Sequence, residues 1–156
     1  MATHRRATRS FQIGVSHALA IAGAAALVAI AVIHLIDGPM SLEDPFYIGA
    51  LELSLAAACV PLAILLVMRP VREVWGISAA TVGLALVLYT LSRTTGLPGA
   101  TDGIGNWGEP LAIANVVAEG AFLLLACAVL AIGRYEAGSP ARRLWANRPN
   151  GAAHAA

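Results

Sequence analysis

Glu119 is the residue in this chain best placed to do chemistry. It lies nine positions after Pro110, in a run (residues 110–133) that holds no other charge. If that run is a helix crossing a membrane from Pro110, Glu119 lies roughly 13.5 Å along it, close to the middle of a hydrocarbon core about 30 Å thick. An acid at that depth costs on the order of 3 kcal/mol on insertion scales, so it faces the bundle interior or a wet cavity and has a partner. Asn115 stands four residues earlier on the same helix face. Phe122 and Ala126 continue that face. Other polar groups fall at matching depths. His34 and Asp37 are one turn apart at the end of the apolar run 18–36, Glu52 is one turn inside the run 48–68, and Arg93 closes the run 74–92. The four runs thus bring His34 with Asp37, Glu52, Arg93, and Asn115 with Glu119 to a single layer. No comparable set appears toward the other end.

Three chemistries fit such a layer. It could be a structural network of Glu119, Glu52 and Arg93 pinning the helices, with Arg93 paired to a carboxylate and Glu119 protonated or hydrogen-bonded. It could be a wet pocket open to the outside that binds a proton, cation or small solute, with His34 as the group that changes charge near neutral pH. It could be a transition-metal site. One histidine with carboxylates, lacking HxxxH or CxxC spacing, is a poor metal set, so neither metal nor cofactor is expected. Two-histidine haem ligation is disfavoured, because His17 and His34 are roughly 25 Å apart along one helix. There is no phosphate loop, no dinucleotide fingerprint and no nucleophile beside a base, so an enzyme is not expected. The basic residues are scattered along one interface, and no nucleic-acid partner is expected.

The elements that must position these groups are apolar. Mean hydropathy is +0.74 and charged residues make up 12% of the chain, about half the share of a soluble domain. The apolar residues are concentrated in four blocks, about 18–36, 48–68, 74–92 and 110–133, each near the roughly 20 residues a span needs. The expectation is all-α: an integral membrane four-helix bundle, up-down-up-down, with short loops. Arg5, Arg6 and Arg9 before the first block suggest a signal peptide, but its apolar core is longer than the usual 7–15 residues, and it is read as an uncleaved span. Residues 136–156, rich in Ala, Pro, Gly and Asn, are expected to form a disordered or surface-lying tail.

Charge sets the expected orientation. Nine of the ten arginines fall before the first block, between the second and third, or after the fourth. The positive-inside rule makes that side cytoplasmic, with both termini inside, in the inner (plasma) membrane. Phe46, Tyr47, Tyr89 and Trp107 are expected at the outer interface, and Phe11, Trp75, Tyr135 and Trp145 at the inner one. Arg142, Arg143 and Trp145 could touch anionic headgroups. The partners expected are membrane lipids and a membrane protein or a second copy of the chain. Small residues such as Gly23, Ala24, Ala56 and Gly83 permit close helix approach. Pro61 is expected to kink the second span. Cys59 and Cys127, at depths differing by roughly 9 Å, are expected to be free thiols. Pro110 suits the first helical position, and Glu109 would meet the positive end of the helix dipole. Trp107, Glu109 and Pro110 therefore read as the structural start of the fourth span.

Ser92-Arg93-Thr94-Thr95-Gly96-Leu97-Pro98-Gly99, followed by Trp107-Gly108-Glu109-Pro110 and Glu119, resembles a pattern in small multi-span membrane proteins of actinobacteria. Those proteins show an SRTxGLP stretch ending one span and a Glu-Pro pair opening the next. The resemblance covers about a fifth of the chain and implies an uncharacterised membrane protein, with no reaction attached. It draws attention to Arg93, Glu109 and Glu119.

Overall fold

Every apolar block forms a helix. The computed structural model describes residues 2–43 and 45–138, with side chains described for 17–43 and 45–132. Helix α1 spans Ala2–Asp37, α2 Phe46–Met68, α3 Arg72–Thr94 and α4 Pro110–Gly138. A 3-10 turn, Met40–Leu42, lies between α1 and α2. Each helix contains a stretch long and apolar enough to cross a membrane: His17–Asp37, Phe46–Met68, Arg72–Thr94 and Pro110–Ile132. No strand occurs among the described residues. The chain is a four-helix integral membrane bundle.

The buried positions recur at intervals of three and four residues, the spacing of one helix stripe. On α2 they are Gly49, Ala56, Cys59, Ala63 and Leu66, and on α3 Trp75, Ser78 and Val82. On α4 they are Ala112, Asn115, Glu119, Phe122 and Ala126, and on α1 Ala20, Ala24, Leu27, Ile30, Ala31 and His34. Outside these stripes many large apolar side chains are exposed. Val28, Ile64, Leu84, Val117 and Leu124 are all at least half exposed, as suits a bundle whose solvent is lipid and not water.

The helices form a ring in which α1 packs on α2 and α4, and α3 on α4 and α2. The α1–α2 contact is the most extensive and α2–α3 the slightest. Two details set the tighter seams. Gly23 lets the indole of Trp75 lie against α1: a Cβ there would come within 2.7 Å of Trp75 Cη2. Trp75 in turn stacks on Phe122, with ring centroids 6.1 Å apart. This corrects the expectation that Trp75 anchors an interface. It is 2% exposed and belongs to the core, because glycine on α1 opens room for a side chain that hydropathy alone assigns to the membrane boundary. Helix α2 is continuous through Pro61. Cys59 is buried and Cys127 exposed, and both are free. Phe11, Tyr135, Trp145, Arg142, Arg143 and the tail beyond Gly138 lie outside the residues whose side chains are described.

The link between α3 and α4, residues 95–109, has a defined path. Gly96 leaves α3 with φ +77°, the left-handed conformation that ends many helices. Leu97 and Ala100 exchange backbone hydrogen bonds of 2.9 and 2.8 Å across Pro98-Gly99. Gly99 has φ +75°, so proline and glycine occupy the positions a type II turn requires. The SRTTGLPG stretch is thus a helix stop followed by a tight turn.

Candidate functional site

Two polar clusters and a cavity occupy one end of the bundle. The deeper cluster joins α1 to α4. Glu119 is fully buried. Its Oε1 accepts a hydrogen bond from Asn115 Nδ2 at 3.1 Å and lies 3.5 Å from His34 Nε2. Glu119 and Asn115 meet because they are one turn apart on the α4 stripe. His34 meets them because it ends the buried stripe of α1, the helix packed beside α4. A carboxylate that has left water needs such donors. At 3.5 Å His34 Nε2 is a close polar neighbour of the carboxyl group without making a hydrogen bond to it.

The second cluster holds the 95–109 link. Arg93 Nη2 donates to Glu109 Oε2 at 3.1 Å and Nη1 to Gly103 O at 3.5 Å. The guanidinium carbon lies 5.1 Å from the centroid of the Tyr89 ring. Trp107 meets that ring edge-on at 6.1 Å. Tyr47 Oη, on α2, donates to Pro98 O at 2.7 Å. Trp107, Glu109 and Pro110 therefore start α4 and also anchor it to α3. Glu119, Glu52 and Arg93, grouped in the structural-network reading, do not join in one network: Arg93 pairs with Glu109. Arg93 closes α3 level with the start of α4, and Glu119 is ten residues beyond Glu109, about 15 Å deeper. One side chain cannot serve both carboxylates.

Between the clusters lies a cavity of about 580 Å³, lined by all four helices and the 95–109 link. His34 and Asp37 come from α1, Glu52 from α2, Arg93 from α3, Glu109 from the end of the 95–109 link and Asn115 from α4. Ile48, Leu51, Leu55, Leu84 and Leu88 form an apolar wall. Of the residues named from sequence, Asp37, Glu52, His34, Arg93 and Asn115 reach this space, whereas Glu119 stands behind it, in contact with His34 and Asn115. Several buried polar atoms carry no hydrogen-bond partner among the described residues. These include both ring nitrogens of His34, Asn115 Oδ1 and Glu52 Oε2. Among the described residues, no three of His, Cys, Asp and Glu gather closely enough to hold a metal ion.

Sequence reasoning missed Ser78, Tyr89 as a bracket and Tyr47 as a link. Ser78 is fully buried on α3 and its hydroxyl lacks a partner among the described residues. Its place on a stripe with Trp75 and Val82 was a readable signal. The pairing of Tyr47 with Pro98, fifty-one residues apart, had none. The chain matches no family model, no curated protein and no solved structure.

Proposed function

We propose that this integral membrane protein binds, and exchanges with the outer face of the membrane, a proton, ion or small solute in the polar cavity at one end of the bundle. The observation that carries this reading is the set of unsatisfied groups. Buried polar atoms are normally paired, and His34, Asn115 and Glu52 keep unpaired atoms while lining a space of about 580 Å³. That size falls within the range of small-molecule sites. Glu119 then serves as the buried acid that holds His34 and Asn115 in place and can share a proton with the imidazole. The role is binding or transfer, without catalysis. The plasma membrane, the outward orientation and membership in the actinobacterial group rest on the arginine distribution and the SRTTGLPG–Glu-Pro motif.

The test is thermal unfolding of the protein in nanodiscs with sodium, potassium, ammonium or methylamine, across a pH series. A ligand that binds the folded state at one hundred times its Kd stabilises it by about 2.7 kcal/mol. We expect a saturable rise with at least one of these cations, or a pH response, that Glu119→Gln alters while the protein still accumulates. If neither appears, and Glu119→Gln and Arg93→Ala both behave like wild type, the reading is wrong.

A second reading is favoured by the slight α2–α3 contact. In an accessory subunit of a larger membrane complex, a partner helix would close that seam and the polar layer would only pin the bundle. Glu119→Gln and Arg93→Ala would then lower abundance, and a partner would accompany the protein through mild-detergent purification.

A further inference from the structure

The cavity has a lateral side, and its chemistry is divided. The polar end is rich in acids: Asp37, Glu52, Asp102 and Glu109 line it against one guanidinium, Arg93, which is already committed to Glu109. The unpaired oxygens on residues lining this end are Asn115 Oδ1, an acceptor, and Glu52 Oε2, an acceptor when the carboxyl is ionised. Asn115 is 6% exposed and His34 9%. A positively charged hydrogen-bond donor complements the acids and the amide oxygen of this end.

The opposite end runs into the gap between α2 and α3. Leu51 and Leu84 line the cavity and are still 48% and 61% exposed, so the space reaches the lipid-facing surface. The rest of the gap is bordered by small side chains, Ser54 and Ala58 on α2 and Thr81 and Ala85 on α3. The two hydroxyls are turned back to their own helices, at 2.7 Å to Ala50 O and 3.0 Å to Ile77 O. What they leave facing the gap is apolar.

From this division we infer that the cavity takes an amphipathic amine, whose protonated nitrogen sits among Glu52, Asn115 and His34 and whose alkyl or ring body lies in the α2–α3 gap, reached from the membrane. The inference rests on the pocket reading above and names its ligand class. An ion or a proton would leave the apolar wall unused. An uncharged amphiphile would leave the acids uncompensated. A lipid-soluble amine answers both ends.

The test is photolabelling of the full chain in nanodiscs with a diazirine-bearing decylamine, and with the alcohol of the same chain, followed by mapping of the adducts. Labelling by the amine is expected on Leu55, Leu84 and Leu88. Unlabelled decylamine should compete it away, and methylamine should need at least about tenfold higher concentration, as expected when the chain contributes even a small apolar contact. The alcohol should label exposed faces such as Val28, Val117 and Leu124 without saturation. Glu52→Gln should weaken the amine signal about tenfold, the loss of one charge-assisted contact. Equal competition by methylamine and decylamine overturns the lateral, amphipathic inference and leaves the pocket reading standing. Saturable labelling by the alcohol equal to the amine also overturns it. Absence of saturable labelling, with no response to the small cations, removes both.

Discussion

The pairing of His34 with Glu119 can be measured by a double-mutant cycle. Glu119→Gln keeps an amide oxygen to accept from Asn115 Nδ2, now 3.1 Å from Oε1, and replaces the carboxyl group facing His34 Nε2 at 3.5 Å. Interhelical polar pairs in bilayers contribute about 0.6 kcal/mol on average and up to roughly 1.7 kcal/mol. Glu119 is fully buried, so solvent screening does not reduce the figure, and the coupling between His34→Ala and Glu119→Gln should fall in that range. Glu119→Ala should cost more, about 1–3 kcal/mol, because Asn115 Nδ2 is left buried without its acceptor. The assay is reversible unfolding in bicelles, by denaturing detergent or steric trapping, for wild type, both single variants and the double variant. Arg93→Ala with Glu119→Gln is the control. Arg93 contacts Glu109, Gly103 and Tyr89, so that pair should be additive within about 0.3–0.5 kcal/mol. A His34–Glu119 cycle that closes within the same margin, or an equal coupling for the Arg93 control, would refute the division of the polar layer into two clusters.

Gly23→Ala should destabilise by about 1–3 kcal/mol through overpacking, since its Cβ would come within 2.7 Å of Trp75; Gly120→Ala, with nothing within 4 Å, should be neutral or slightly stabilising in the same unfolding assay. Arg93→Ala should loosen the 95–109 link and raise its cleavage rate by added protease. Arg93→Lys should rescue this only in part, because a point charge cannot reproduce both guanidinium contacts, and the half-exposed pair contributes about 0.5–1 kcal/mol at most. Tyr47→Phe removes one hydrogen bond to Pro98 O and should cost about 0.5–1.5 kcal/mol, with faster amide exchange at Ala100 as the readout. A reporter placed at Asp102 should be exported and one fused after Ala156 should stay cytoplasmic; a cytoplasmic signal at Asp102 would reverse the orientation drawn from the arginines.

The helices were legible because length and apolarity are properties of a single segment. The inward stripe of α4 was legible as well: Asn115, Glu119, Phe122 and Ala126 follow one face by spacing alone. What spacing cannot supply is the neighbour. His34 was placed at the right depth from its own helix, yet its contact with Glu119 depends on α1 packing beside α4. Arg93 was expected to find a carboxylate, and which one depended on the path of residues 95–109, set by Gly96 and the Pro98-Gly99 turn. Trp75 shows the opposite failure. Its position near the start of α3 resembles that of an interfacial aromatic, and only the facing Gly23 turns it into the core.

A layer built only to hold helices together should satisfy its own members. The Arg93–Glu109 clamp nearly does: the guanidinium has a carboxylate, a carbonyl and an aromatic face, and its work is to fix the 95–109 link. The deeper cluster does not. Glu119 draws on Asn115 and His34, but Asn115 keeps its carbonyl oxygen and His34 both ring nitrogens without a hydrogen-bond partner among the described residues, and both residues line the same cavity as Glu52, whose Oε2 is also unpaired. Lipid penalises each such atom more than water would. Three different helices, α1, α2 and α4, incur that penalty at one place. On the function proposed above, the bundle therefore acts through the cavity that these residues line, and the Arg93–Glu109 clamp has the task of holding the 95–109 link.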